Sequence, residues 1–111
     1  MYRIAFGHKK RVGKDYACEY LKRNHGFQVL RIAEPVYELS YEIQTYFEHD
    51  NTKDRDLLRL IGMWMRDNIS RDIWINALTK KLTRNEKYVV ADLRFKNEAE
   101  ILRKNGFKLV N

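Results

Sequence analysis

Apolar positions along this chain fall into short runs that alternate with amphipathic stretches. Tyr2 to Phe6 is a brief apolar-rich run stopped by Gly7, too short for a helix, and it predicts a first strand. Lys14 to Asn24 sets Ala17, Tyr20 and Leu21 at helical spacing. Gly26 then closes the helix, because a residue without a β-carbon takes the left-handed conformation cheaply. Phe27 to Ile32 reads as a second strand. Pro35 suits the first turn of a helix, where its missing N–H costs nothing, and Val36, Leu39, Ile43 and Phe47 recur on one face. The polar stretch His49-Asp50-Asn51-Thr52 breaks that helix. Leu57, Leu60, Ile61 and Trp64 form a further helical stripe, and Ile73, Trp74, Ala77 and Leu78 another, with Trp64 read as core more firmly than Trp74. Tyr88 to Ala91 is a buried-strand pattern ending at Asp92. Ala99 and Leu102 sit on a helix from about Phe95 to Asn105, and Phe107 to Val110 begins another strand.

Strands that alternate with helices predict an α/β protein in which a mainly parallel sheet is covered by helices and right-handed crossovers link its strands. Such sheets bind ligands beyond the carboxyl ends of their strands. Two junctions, Leu21-Lys22-Arg23-Asn24-His25-Gly26-Phe27 and Leu102-Arg103-Lys104-Asn105-Gly106-Phe107, repeat one chemistry: cations in the last helical turn, a glycine, then an aromatic opening a strand. Cations at a helix C-terminus complement its dipole, so this is convergent punctuation and not a sequence repeat.

The 111 residues amount to one small domain, and 44% hydrophobic residues are enough to build its core. No Ser/Gly/Pro-rich linker divides the chain. Cys18 has no partner for an intramolecular disulfide, and the N-terminus carries charges where a secretory segment would be apolar, so a soluble, cytoplasmic protein is expected. No apolar run approaches membrane-spanning length. The net charge of +7 is uneven. Residues 1–33 carry eight Lys/Arg against two Asp/Glu, residues 34–70 four against eight, and residues 71–111 ten against five. Basicity points to an anionic partner or merely to solubility. His8, His25 and His49 lack metal-ligand spacing, and no Ser-His-Asp arrangement is visible.

The densest chemistry lies at the end of the first strand. The loop from His8 through Lys9, Lys10, Arg11, Val12, Gly13, Lys14 and Asp15 to Tyr16 approximates the phosphate-binding G-x-x-x-x-G-K-[ST] pattern. It departs twice: Gly7 stands one residue early, and Asp15 replaces the hydroxyl that would meet magnesium. A loop feeding a helix N-terminus aims backbone N–H groups at phosphate oxygens, and Lys14 would meet the outer phosphates. Asp15 is either a magnesium ligand or a helix cap. Asp92, at the end of a buried strand, is likewise either a magnesium anchor or a cap.

Gly7-His8-Lys9-Lys10-Arg11-Val12-Gly13-Lys14-Asp15 resembles the P-loop of the viral deoxynucleoside monophosphate kinases, in which Gly-Lys-Asp replaces Gly-Lys-Ser/Thr. Leu57-Leu58-Arg59-Leu60-Ile61-Gly62 with Arg66, and Asp72-Ile73-Trp74-Ile75-Asn76-Ala77-Leu78, are similar to that family's middle segment. Asp92-Leu93-Arg94-Phe95-Lys96-Asn97-Glu98 resembles its Asp-x-Arg-Phe-x-Asn-Glu motif, so the likeness runs from residue 4 to about residue 107. Animal phosphomevalonate kinases share the Gly-Lys-Asp loop.

The resemblance implies a three-layer α/β/α P-loop domain that transfers the γ-phosphoryl of ATP, with Mg²⁺, to a (deoxy)nucleoside monophosphate. Residues 34–86 would be its helical acceptor-binding segment. Lys14, Asp15 and Arg94 would be catalytic. Glu34, Arg66, Arg71 and Trp74 would bind the acceptor, and Asp15 and Asp92 would serve the metal. Arg66 and Arg71 are otherwise surface arginines beside Asp67 and Asp72, and Trp74 otherwise a core residue. Glu34 stands where the family usually has Asp, and Met63 where it often has Thr. Relatives continue past Val110, so the domain is expected to be C-terminally truncated, to turn over poorly alone and to self-associate through an open strand edge. The rival readings are a basic nucleic-acid-binding protein and an inactive phosphate-binding remnant.

Overall fold

Three consecutive residues, Tyr88, Val89 and Val90, bind the sheet together. The computed structural model describes residues 2–7, 13–48 and 54–110. Within them the chain forms β1 (Arg3–Phe6), α1 (Gly13–His25), β2 (Gln28–Leu30), α2 (Glu34–Tyr46), α3 (Arg55–Asn68), α4 (Ile73–Thr79), β3 (Tyr88–Val90), α5 (Lys96–Lys104) and β4 (Lys108–Val110). The strands order as β2-β3-β1-β4, all parallel. β3 therefore pairs on both sides, with Val89 opposite Ile4 and opposite Val29. Three β-branched or aromatic residues with no polar member suit a strand enclosed on both faces.

Side-chain alternation sorts the sheet into two faces. Ile4, Phe6, Val29, Val89 and Ala91 meet Cys18 and Leu21 of α1 on one face. Ala5, Leu30, Tyr88, Val90 and Leu109 turn the other way, into a larger core built with α2, α3, α4 and α5. Helices thus cover both faces of an all-parallel sheet, as the strand-helix alternation predicts. Gly26 and Gly106 both have positive φ, +70° and +85°, at the two cationic helix-to-strand junctions. Each allows the chain to reverse into its next strand without steric strain.

Three helices follow one another between β2 and β3, as expected, but their packed faces differ from the expected stripes. Asp54 accepts the Leu57 N–H at 3.0 Å and so caps α3. From there Leu57, Leu58, Ile61 and Met65 pack on the core, while Leu60 and Trp64 lie exposed. The flank that carries Gly62 faces α2 and α4: the Trp74 indole N–H reaches the Gly62 carbonyl oxygen at 3.0 Å, and a β-carbon at Gly62 would meet Val36 of α2 at 3.8 Å. Trp64, the firmer core expectation, is left at 54% exposure. Phe47 likewise leaves the α2 stripe, becoming the exposed C-cap. The polar break at His49-Asp50-Asn51-Thr52 lies outside the described residues. No helix among those described is long and apolar enough to cross a membrane.

Candidate functional site at the carboxyl edge of the sheet

β1 and β3 are adjacent, and their connections leave toward opposite sides: β1 leads through α1 to β2, and β3 leads through α5 to β4. Such a divergence opens a crevice beyond the carboxyl ends of the two strands. Gly7 enters it from β1, its N–H held by the Val110 carbonyl at 2.7 Å, and Asp92 enters it from β3. Of the loop that follows Gly7, His8, Lys9, Lys10, Arg11 and Val12 lie outside the described residues. Gly13 opens α1, with Lys14 half-buried and Asp15 and Tyr16 exposed in its first turn.

Beside this turn a groove of about 320 Å³ is lined by Asp15, Cys18, Glu19, Lys22, Val29, Arg31 and Glu34. A second groove of the same volume lies on the outer flank of α1, along Tyr16, Tyr20 and Arg23. Only the first adjoins the ends of β2 and α2. The Cys18 thiol behind it is pushed above its ordinary range by burial, a shift opposed by Arg31 and reinforced by Asp15. It is a packing residue and not a poised nucleophile.

Asp92 performs a definite structural task. Its two carboxylate oxygens accept the backbone N–H groups of Ile32 at 2.7 Å and Ala33 at 3.0 Å, fixing the turn from β2 into α2. It caps that distant turn rather than its own helix. A carboxylate oxygen has two lone pairs, so each retains one further acceptor position. Glu34, the first residue of α2, reaches Lys81 at 3.7 Å. Both side chains are nearly half exposed, so the pair is a weak one.

The Asp-x-Arg-Phe-x-Asn-Glu stretch wraps the start of α5. Glu98 is 5% exposed and accepts the N–H groups of Arg94 at 3.1 Å and Phe95 at 3.0 Å. Burial raises its pKa, and the two backbone N–H groups and the nearby Arg66 charge pull it partly back. The Arg94 side chain is exposed beside this cap. Of the two candidate acceptor arginines, Arg66 Nε donates to the backbone carbonyl of Arg71 at 3.4 Å, and the Arg71 side chain is exposed. Of the two readings of Trp74, burial favours the core, since its ring is 8% exposed within the main cluster.

Sequence reasoning assigned no role to Arg31, Phe95 or Asn97 individually. Arg31 was read as part of the second strand, which ends at Leu30. Phe95 and Asn97 were visible within a motif whose spacing gave no hint that they face α3. The chain matches no family model, no curated protein and no solved structure.

Proposed function

We propose that this protein transfers the γ-phosphoryl group of ATP to a (deoxy)nucleoside monophosphate. The observation that carries the reading is the joint placement of its parts at one sheet edge. The Gly13-Lys14-Asp15 start of α1 follows β1, Asp92 follows the neighbouring strand β3, and Arg66 at the end of α3 bonds the Arg71 backbone in the segment between β2 and β3.

In this reading the P-loop from His8 to Tyr16 takes the triphosphate, with N–H groups of the α1 N-terminus and the Lys14 ammonium on its oxygens. Mg²⁺ would supply charge neutralisation on the phosphates, and Asp15 and Asp92 would be the residues that hold it, directly or through its waters. An oxygen of the acceptor phosphate attacks the γ-phosphorus. The bond to the β-γ bridging oxygen breaks, and its electron pair leaves with ADP. Arg66 and Arg71 hold the acceptor phosphate in line, Arg94 stands beside the path of transfer, and Glu34 borders the acceptor at the mouth of the β2–α2 turn. The cytoplasm is the setting in which ATP is available for such chemistry.

Calorimetry tests the reading directly. Lys14→Ala should remove most ATP affinity, and Asp15→Ala should weaken the Mg²⁺ dependence of binding. Arg66→Ala and Arg71→Ala should weaken deoxynucleoside monophosphate binding while sparing ATP. Equal ATP affinity of parent and Lys14→Ala would overturn the assignment of the loop. Saturable binding to DNA unaffected by mononucleotides would favour the nucleic-acid-binding alternative.

A further inference from the structure

Arg66 lies in the last turn of α3, half-buried, and residues from two later segments fix its guanidinium. Its central carbon stands 3.7 Å from the centre of the Phe95 ring. Nη2 donates to Asn97 Oδ1 at 3.4 Å, and Nε donates to the Arg71 carbonyl at 3.4 Å. Asn97 is itself pinned, its Nδ2 donating to the Arg71 carbonyl at 3.2 Å and to Asp72 Oδ1 at 2.7 Å. Phe95 and Asn97 flank the first turn of α5, which the buried Glu98 holds closed.

Two features make this arrangement more than a surface contact. The hydrogen-bond partners of Arg66 are neutral oxygens, and among the described residues no carboxylate oxygen lies within 4.0 Å of it. No carboxylate therefore contacts it, although its charge acts on the nearby Glu98 carboxyl. The ring also shields one face of the guanidinium from water, while the two bonds use two of its five N–H donors and leave three with no hydrogen-bond acceptor among the described residues. An arginine that is free in solution loses its rotamer freedom when it grips an anion. Arg66 has lost that freedom on folding, which strengthens subsequent binding.

We infer that Phe95 and Asn97 are positioning residues that hold Arg66 as a preformed receptor for the acceptor's phosphate. The inference rests on the proposed kinase reading. One strand end then carries both the carboxylate that sets the β2–α2 turn and the clamp that aims a cation from α3.

The test measures affinities of dAMP, dCMP, dGMP and dTMP and of the corresponding nucleosides for the parent and for Arg66→Ala, Phe95→Leu, Phe95→Tyr, Asn97→Ala and Asn97→Ser, with ATP affinity as the control for folding. Loss of the ring or the amide should lower the affinity of the preferred monophosphate about tenfold, in the range of a desolvated cation–ring contact. Affinity for its nucleoside and for ATP should hold within about twofold, and Phe95→Tyr should restore the parent value. If Phe95→Leu and Asn97→Ala weaken monophosphate and nucleoside equally, or neither weakens the monophosphate while Arg66→Ala does, the clamp is mere packing and the inference falls with the kinase reading intact. If Arg66→Ala binds the monophosphate like the parent, or the parent binds none of the four, both fall. Should Phe95→Leu fail to fold, the half-buried Asn97 variants decide by the same criterion.

Discussion

Asp92 accepts the Ile32 N–H at 2.7 Å, so the end of the central strand holds the end of an edge strand across 60 residues of sequence. The second oxygen takes the Ala33 N–H, making a two-point clasp on the entry to α2. Hydrogen bonds to a charged acceptor contribute ~1.5–3 kcal/mol each, less where water competes. Asp92→Ala should therefore lower unfolding stability in urea by about 2 kcal/mol. Asp92→Asn, which keeps one acceptor oxygen but turns an amide donor toward the other N–H, should fall between parent and alanine variant. A neutral Asp92→Ala would show the clasp to be dispensable.

The two tryptophans should respond in opposite ways to truncation. Trp74 fills the main core and donates its indole N–H to the Gly62 carbonyl, so Trp74→Ala should cost ~3–5 kcal/mol through the cavity it leaves. Trp64, more than half exposed, should change stability by no more than about 0.5 kcal/mol on replacement by alanine. Thermal denaturation of both variants checks the pair, and equal losses would contradict the facing of α3 described above.

Glu98 makes stability depend on pH. Burial raises its pKa in the folded protein, so the folded state holds the proton more tightly than the unfolded chain. Stability from this group is then present below the ordinary glutamate value and is lost as pH rises through the raised one. Glu98→Gln keeps an oxygen for the Arg94 and Phe95 N–H groups and removes the buried charge. Its melting temperature relative to the parent should rise as pH climbs through that window and level off above it. A constant difference across pH would refute the assignment.

Glycines should separate by conformation. Gly62 lies inside α3 and has room for a β-carbon, whose nearest neighbour would be Val36 Cγ1 at 3.8 Å, so Gly62→Ala should stabilise by ~0.5–1 kcal/mol. Gly26, at φ +70°, has open space but a backbone that disfavours a side chain, and Gly26→Ala should destabilise by ~1 kcal/mol. Chemical denaturation of the two variants should show shifts of opposite sign.

The element order was legible because short apolar runs and helical stripes here are separated by strong punctuation at Gly7, Gly26, Pro35 and Gly106. Parallel pairing followed from that alternation, whereas the position of β3 between β1 and β2 did not, since no local pattern encodes which strands become neighbours. The facing of α3 escaped for the same reason: Leu60 and Trp64 fit a stripe as well as Leu58 and Met65 do, and only the contacts of Gly62 with α2 and α4 choose between them. At the site, Arg66 and Arg71 were singled out by their sequence setting, and the structure joins them only through the Arg71 backbone carbonyl. The clamp on Arg66 joins residues 29 and 31 positions away, a separation that no helical or strand periodicity spans.

The placement of β3 also governs the order of folding. β1 and β2 never pair with each other; each pairs with Tyr88, Val89 and Val90. A chain leaving the ribosome thus carries two strands without partners until Tyr88, Val89 and Val90 have been made, with only helices able to form locally. Sheet closure must wait for long-range contacts, which slows folding and leaves apolar edges open to wrong partners in the interval. Once β3 enters, it joins both halves of the sheet in a single event.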